Sequence, residues 1–393
     1  MSVFSLGGRL SDPATRDAAS ALRPDAEPRE VIARAAWSVI AEPGDGVAGA
    51  LIGVHGATDA LDAAFGGTRL LAAGEGGTAR TVAEARARWA PRADARAVRD
   101  ALEGARHVDA RMLLPGDPEW PDVLDDLGAH APTVLWARGD ATALAAGRAI
   151  AMVGARAATS YGEHVAAELS GDLAAGGDVI VSGGAYGIDG AAHRAAAGTG
   201  GRTVAFMAGG VDRAYPAGHQ QLFERIRSHG AVISEVPCGA APTKWRFLAR
   251  NRLIAAAGAA TVVVEAGWRS GSLNTAGHAS TLGRPLGAVP GPITSPASAG
   301  CHRLLREYDA VCVTTAGEVR ELCGDELAAA RSDHRSRPER TRLLDALTTR
   351  GAREVDELAR RSGLSVDAVR SELGLLELDG VAVRDGRAWR RLA

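Results

Sequence analysis

One run of nine residues combines side chains that bind phosphates with side chains that stack on bases. It holds four basic residues, two aromatic residues and an asparagine, with no acidic residue: Lys244-Trp245-Arg246-Phe247-Leu248-Ala249-Arg250-Asn251-Arg252. Basic side chains neutralise phosphates, and aromatic rings stack on unpaired bases. The run therefore predicts a site for single-stranded nucleic acid. Lys244 is the one lysine among 45 basic residues, but a nucleotide-composition bias explains that rarity.

Four turns rich in glycine or hydroxyl residues each lie between a short apolar run and a helical stretch. They are residues 154–156, 182–190, 209–216 and 268–275. Glycine lets a ligand approach the backbone, and a helix N-terminus attracts an anion, which an arginine such as Arg156 can grip. Each turn is a candidate phosphate site, although none fits the dinucleotide or Walker A pattern. Two structural alternatives stay open: Gly154 as a tight turn and Asp189 as a helix cap.

Groups able to carry out a reaction are less evident. Glu235 and Glu265 each end an apolar run and could act as a base or a sugar ligand. With arginines such as Arg250 nearby in the sequence, we favour ion pairs for both. Ser270 and Ser272 lack the surroundings of a nucleophilic serine. We therefore predict binding without catalysis, and expect no metal and no cofactor.

Short, almost wholly apolar runs alternate with helical stretches from residue 149 onwards. The runs are 149–153, 179–182, 203–206, 231–234, 261–265, 285–289 and 310–313. Such runs are typical of strands that helices cover on both faces. We predict an α/β fold with a doubly wound, mainly parallel, Rossmann-like sheet. The turns that follow the strands would then meet at one edge of the sheet.

Periodicity and composition divide the chain into five segments. We predict a flexible tail (1–30), a helical domain of SAM or helix-hairpin-helix type (31–106), the sheet domain (107–324), a polar linker (325–337) and a winged-helix domain (338–393). The helical domain is either a packing module, which we favour, or a binder of DNA phosphates. In the last segment, three helical stretches precede a hairpin that turns at Asp385-Gly386.

The winged-helix domain is a candidate regulator that binds duplex DNA. Its third helix, however, carries four acidic residues against Arg370: Asp367, Glu372, Glu377 and Asp379. Negative charge is unsuited to a helix that enters a major groove. We favour a protein-interaction role for this domain.

Composition limits the kind of protein. The chain has 393 residues, 46% of them apolar, and a net charge of −2. Any attraction for nucleic acid must therefore come from a local patch. The four cysteines are scattered without a CxxC pair, which indicates reduced thiols and no zinc site. We expect a cytoplasmic protein with no membrane contact, since no leader or long apolar run is evident.

Many dispersed motifs occur here in the order and spacing of one known family. They are Leu114-Pro115-Gly116-Asp117, Trp120-Pro121, Gly154-Ala155-Arg156, Ser182–Gly183–Gly184 with Gly187-Ile188-Asp189, Gly209-Gly210, Tyr215-Pro216, Ser234-Glu235, Arg250-Asn251-Arg252, Val264-Glu265-Ala266, Ser270-Gly271-Ser272 and Val289-Pro290-Gly291. In this set the chain resembles the DNA-processing protein A (DprA, or Smf) family.

The resemblance implies a Rossmann-like core with flanking helical and winged-helix domains. It also implies a non-enzymatic activity: binding and protecting single-stranded DNA and loading the recombinase RecA during natural transformation, as a homodimer. By matched motif, Arg156 would hold phosphate. The pocket would be shaped by Gly183, Gly184 and Gly187. The groove would be lined by Arg250, Asn251 and Arg252. The residues chosen on their own chemistry complete the candidate site: Gly154, Lys244, Trp245, Phe247, Ser270 and Ser272.

Three positions depart from the family's pattern. Leu248 stands where a proline is usual, His219 where an asparagine is common, and Asn274 where an apolar residue is expected. The alternative function is a Rossmann-like enzyme or sensor for a small nucleotide, of the kind that hydrolyses N-glycosidic bonds. Glu235 and Glu265 would be its carboxylates, but the Pro-Gly-Gly-x-Gly-Thr motif of those enzymes is missing.

Overall fold

Nine strands form a single mixed sheet in the computed structural model, which describes residues 12–65, 79–325 and 338–392 together with Phe4, Ser5, Gly8 and Leu10. The strands are β1 Arg111–Leu113, β2 Leu135–Gly139, β3 Ala149–Val153, β4 Val179–Ser182, β5 Thr203–Met207, β6 Gly230–Ser234, β7 Ala260–Val263, β8 Leu286–Ala288 and β9 Val311–Cys312. The sheet belongs to the first of two units, residues 1–323 and 324–393.

The order of the strands creates a crevice beside β3. Across the sheet they run β1-β2-β6-β5-β4-β3-β7-β8-β9, with β3 to β9 parallel and β1 and β2 antiparallel. After β3 the chain moves outward through β4, β5 and β6, then returns to the other side of β3 as β7. In open α/β sheets, ligands bind where the winding direction reverses, beyond the carboxyl ends of the strands. The doubly wound fold class is confirmed, and its topology points to the loops after β3 and β7.

Twelve helices surround the sheet in the described part of this unit. They are α1 Pro13–Leu22, α2 Pro28–Ile40, α3 Gly46–Phe65, α4 Ala79–Trp89, α5 Ala95–His107, α6 Ser160–Ala175, α7 Ile188–Gly198, α8 Gln220–His229, α9 Lys244–Ala257, α10 Ser272–Thr281, α11 Ala299–Glu307 and α12 Ala316–Leu322. None of the helices described is long and apolar enough to cross a membrane. Alternate residues of β3 point to opposite faces, so Ile150 packs with α6 and α7 while Ala151 packs with α9.

The helices α1 to α5 share an apolar core with one face of the sheet, in which Trp37 meets Trp89 and Trp136 is buried. The expected flexible tail is wrong for residues 13–22, which form α1 and bury Ala18 and Ala19. Asp12 caps this helix by accepting a hydrogen bond from the Thr15 amide, and proline at the first helical position suits the geometry. This pattern, a capping residue followed by proline, lies among polar residues and was not recognised in the sequence.

The second unit confirms the predicted winged helix. It contains α13 Pro338–Ala346, β10 Arg353–Glu354, α14 Val355–Ser362, α15 Val366–Leu378, β11 Ala382–Asp385 and β12 Ala388–Arg391. The three strands form one small sheet, whose β10 the sequence did not predict. Glu372 is buried, so it does not add to the surface charge of α15, contrary to our interpretation. Of the expected linker, all but Asp325 lies outside the described residues.

Glycine is required where the turn between β4 and α7 contacts the backbone of the loop after β3. Gly187 has a φ of 72°, a region that L-residues rarely adopt. A Cβ at this position would lie 2.3 Å from the carbonyl oxygen of Ala155. The close contact fixes the two loops against each other.

We predict that Gly187→Ala lowers the free energy of unfolding by about 2–4 kcal/mol, because it combines backbone strain with overpacking. Urea denaturation followed by circular dichroism would measure this. Gly198→Ala is the matched control, since that glycine ends α7 with no atom near an added Cβ. Equal unfolding midpoints for the two variants would contradict the prediction.

Candidate nucleic-acid interface

A cavity of about 850 Å³ opens at the carboxyl edge of the sheet, where the winding reverses. The loops after β3 and β7 form two of its sides, and the first half of α9 forms a third. Eight of the predicted site residues line it: Gly154, Arg156, Lys244, Phe247, Arg250, Asn251, Ser270 and Ser272. The structure therefore brings together residues that lie more than a hundred positions apart in the chain.

Three exposed cations lie around this cavity: Arg156, Lys244 and Arg269. Within the described ranges no carboxylate forms an ion pair with any of them. Such cations are free to neutralise a polyanion without first breaking an internal ion pair. Arg269 is a site residue that the sequence interpretation did not single out, although it lies within the candidate turn 268–275.

Phe247 is the aromatic centre of the cavity. The guanidinium carbon of Arg156 lies 4.5 Å from its ring centroid, in a cation–π arrangement. The ring of Tyr215, half exposed, lies 5.5 Å from the same centroid. A cation and aromatic rings, the side-chain types suited to phosphates and bases, are thus in direct contact here.

A buried cation lies behind the aromatic ring. Arg250 is only 5% exposed, donates a hydrogen bond to the Phe206 carbonyl, and packs so closely on Gly183 that a Cβ there would clash with its guanidinium. Burial lowers the pKa of Arg250 to about 10, and the positive charge of Arg156 acts in the same direction, against the attraction of Asp189. Arg250 therefore stays charged at neutral pH.

The wall next to α10 is polar. Asn251 donates from its side-chain amide to the side chain of Asn274 at 3.2 Å and to the Gly271 carbonyl at 3.4 Å. The hydroxyl groups of Ser270 and Ser272 lie 2.7 Å apart at the start of α10. The positive end of the helix dipole and these hydroxyl groups favour an anion at this wall.

The loop after β4 has a structural role. The buried carboxylate of Asp189 accepts hydrogen bonds from the amides of Gly183 and Ala185, at 3.2 and 3.4 Å. Burial raises the pKa of Asp189, and Arg250 opposes that rise. These two amides therefore already donate to a carboxyl group of the protein itself. Gly184 and Gly187 face Phe223 and Ala155. The glycines of this loop therefore support the cavity without lining it, and their predicted contact with phosphate is wrong, whereas Ala185 and Asp189 of the same loop do line it.

Two predicted groove residues lie elsewhere. Trp245, 61% exposed, lines a separate hollow of about 670 Å³ beside Pro43 and His130. Arg252 is buried and binds Glu235 through two hydrogen bonds of 2.7 Å. Its assignment to the groove is therefore corrected, whereas the predicted ion pair of Glu235 is confirmed.

Glu265 does not form the ion pair that we favoured for it. Its carboxylate accepts hydrogen bonds from the amide and the hydroxyl group of Thr159, at 2.8 and 2.7 Å, just before α6. No arginine of the described chain pairs with it. The expected ion pair is wrong because a helix N-terminus takes the carboxylate instead.

The fold and the cavity together define a Rossmann-like protein with a crevice lined by exposed cations and with a winged-helix unit. Comparison with known proteins is more specific. The sequence profile described as DNA recombination-mediator protein A matches residues 111–324, and the profile of the DprA winged helix domain matches residues 327–386. The chain therefore belongs to the DprA family, and the resemblance stated from its motifs is confirmed.

Relatives extend over most of the chain. The putative DNA processing protein DprA of Mycobacterium tuberculosis is 49% identical over 313 residues, across 75% of this chain and 80% of the relative. The X-ray structure of DprA from Streptococcus pneumoniae is similar with a TM-score of 0.59 and 28% identity, over 75% of this chain and 97% of that one. A Helicobacter pylori DprA structure, described for its single-stranded DNA binding mode, has a TM-score of 0.50 and 28% identity, over 56% and 97%.

We predict that Arg252→Met destabilises the fold by about 3–5 kcal/mol, because it leaves the Glu235 carboxylate buried without its partner. The measurement is the urea midpoint. Arg80→Met is the control, since it breaks an ion pair whose side chains are 88% and 60% exposed, and such pairs contribute little. A midpoint shift of the same size in both variants would show that burial of the pair is not the cause.

Proposed function

We propose that this chain binds single-stranded DNA in the cavity beside β3. One observation carries the proposal: three exposed cations without carboxylate partners in the described structure, Arg156, Lys244 and Arg269, line the same cavity as Phe247. A strand would place its phosphates on the cations and a base against the ring. The Helicobacter pylori relative, whose structure concerns single-stranded DNA binding, supports this proposal.

A single strand suits this site better than a duplex does. Phe247 lies inside a cavity, only partly exposed, so its partner must be a base turned away from its own stack. In a duplex, turning a base outward requires unpairing and unstacking, at a cost of a few kcal/mol. We therefore propose that preference for single strands arises from the position of this ring.

Binding without catalysis is the activity that the carboxylates favour. Glu235 lies in an ion pair with Arg252, and Glu265 holds Thr159. Asp189, the carboxylate that does line the cavity, accepts from two backbone amides. A nucleotide hydrolase would need one of these groups for its reaction, so the alternative gains no support.

Replacing Arg156 and Lys244 together with alanine should weaken binding to an oligothymidylate at least about tenfold. The slope of log K against log salt should fall by about 1.4, since each phosphate contact on a single strand contributes about 0.7. Fluorescence anisotropy over a salt series would measure both quantities.

Arg106→Ala with Arg225→Ala is the matched control, because it removes two exposed arginines outside the cavity. That variant should bind as the wild type does. An unchanged affinity and slope for the Arg156 and Lys244 variant would exclude the cavity as the DNA site.

The finer part of the proposal extends beyond the cavity. We propose that the protein acts in the cytoplasm as a homodimer that protects incoming single strands and loads RecA onto them during natural transformation. Support comes from membership of a family described as recombination mediators.

The RecA step predicts faster nucleation of RecA filaments on single strands that carry this protein. RecA ATPase onset would be timed on DNA coated with single-strand binding protein, with and without the chain. The Arg156 and Lys244 variant should not shorten the lag. A wild-type chain that binds the strand tightly yet leaves the lag unchanged would contradict RecA loading while preserving the binding proposal.

A further inference from the structure

We propose that Trp268 is a stacking position for one base of the bound strand, and that Arg303 holds the indole in place. This inference rests on the proposed function and extends it to a residue that was not among the predicted site residues. The observation behind it is an exposed tryptophan at the cavity rim with an arginine already on its ring.

Trp268 occupies the loop that connects β7 to α10. Its side chain is 57% exposed, which is unusual for so large an apolar group. Both of its neighbours in the chain, Gly267 and Arg269, line the cavity. A strand whose phosphate lies on Arg269 would therefore have a nucleotide within reach of the indole.

Arg303 keeps the indole from turning freely. Its guanidinium carbon lies 5.2 Å from the Trp268 ring and 5.6 Å from the Tyr308 ring. Its Nε donates to the Glu307 carboxylate at 2.7 Å, one turn along α11. The cation thus contacts two aromatic rings, and its bond to Glu307 adds a third contact. A ring fixed in this way loses less freedom when a base stacks on it.

A close helix packing brings Arg303 to this position. The Gly300 amide donates to the Ala266 carbonyl at 2.7 Å, and a Cβ at Gly300 would lie 2.7 Å from that same oxygen. Because residue 300 has no side chain, α11 packs directly on the start of the β7–α10 loop. Arg303 follows one turn later, beside Trp268.

The chemistry at this rim fits a nucleobase. Arg269 is cationic, and Arg303 and Glu307 compensate each other's charge in an ion pair. Stacking is tolerant of sequence, because every base offers a π-face. The expected ligand is any base of a single strand, with its adjoining phosphate on Arg269.

The test separates bases from backbone. An oligothymidylate and an abasic strand of equal length carry the same phosphates, but only the first can stack. We expect Trp268→Ala to weaken binding of the oligothymidylate by about 5- to 150-fold, with the affinity for the abasic strand unchanged. Arg269→Ala should weaken both, because it removes a phosphate contact.

Conservative variants test the roles of the ring and of Arg303. Trp268→Phe keeps an aromatic ring and should restore most of the loss, and Arg303→Lys, which keeps the cation, should bind more tightly than Arg303→Met. The Arg303 effect should likewise be confined to the oligothymidylate. Trp245 is the other exposed tryptophan. The loss of affinity caused by Trp268→Ala should be the same in a Trp245→Ala background as in the wild type.

The outcomes are distinguishable. Equal binding of the oligothymidylate by Trp268→Ala and the wild type would overturn the inference and leave the proposed function standing. An equal loss on both strands would overturn it too, since the ring would then act through the backbone or the fold. A wild-type chain that binds neither strand would refute the proposed function itself. A changed oligomeric state in Trp268→Ala, with unchanged DNA binding, would assign the ring to a protein contact instead.

Discussion

One buried glutamate holds the loop on which the cavity depends. The Glu265 carbonyl accepts from the Ala155 amide at 2.7 Å, and its carboxylate accepts from Thr159. Both ends of the loop from residue 154 to residue 159 are therefore fixed to the end of β7. The N-terminus of α6 offsets part of the cost of burying this charge. Arg156 lies between the two fixed points, which is why an exposed arginine can still have a defined position above Phe247.

The strands of the sheet were predicted closely from the sequence, whereas α1 was missed although Asp12 and Pro13 mark its start. The apolar runs 149–153 and 179–182 match β3 and β4 in full, because burial on both faces leaves a purely local pattern. The buried face of α1 consists mainly of small residues such as Ala18 and Ala19, which resemble the surrounding composition. Its burial becomes evident only from the packing of α5 and α2 against it.

The basic run 244–252 was predicted to act as one part of the candidate site, but a helix divides that run between two faces. Lys244, Phe247 and Asn251 line the cavity, and positions three, four and seven residues apart lie on the same face of a helix. Trp245 and Arg252 are also seven residues apart, on another face, and neither reaches the cavity. This division follows from helical periodicity once α9 is known to begin at Lys244. The placement of Arg269 depends instead on how the sheet winds, which no local pattern contains.

Two of the three departures from the family pattern are accommodated by contacts of their own. The Asn274 side chain accepts a hydrogen bond from the Asn251 amide. The His219 ring donates a hydrogen bond of 2.9 Å from Nδ1 to the Gly184 carbonyl. Both contacts hold residues that border the cavity or support it, so the changes are consistent with an intact site.

The charge of the cavity shows how a chain with a net charge of −2 would attract a polyanion in the way that we propose. Arg250 is buried, and the negative charge that acts on it most is that of Asp189. The two side chains form no direct ion pair in the described structure. A buried charge is screened less by salt than an exposed one. Its field therefore reaches the cavity with less loss than the field of a surface arginine. The exposed cations at the mouth would contact phosphate directly, while Arg250 adds a positive potential behind them. Replacing Arg250 would change both that potential and the packing on Gly183. Substitutions of the exposed cations are therefore the ones that test the effect of charge without disturbing the fold.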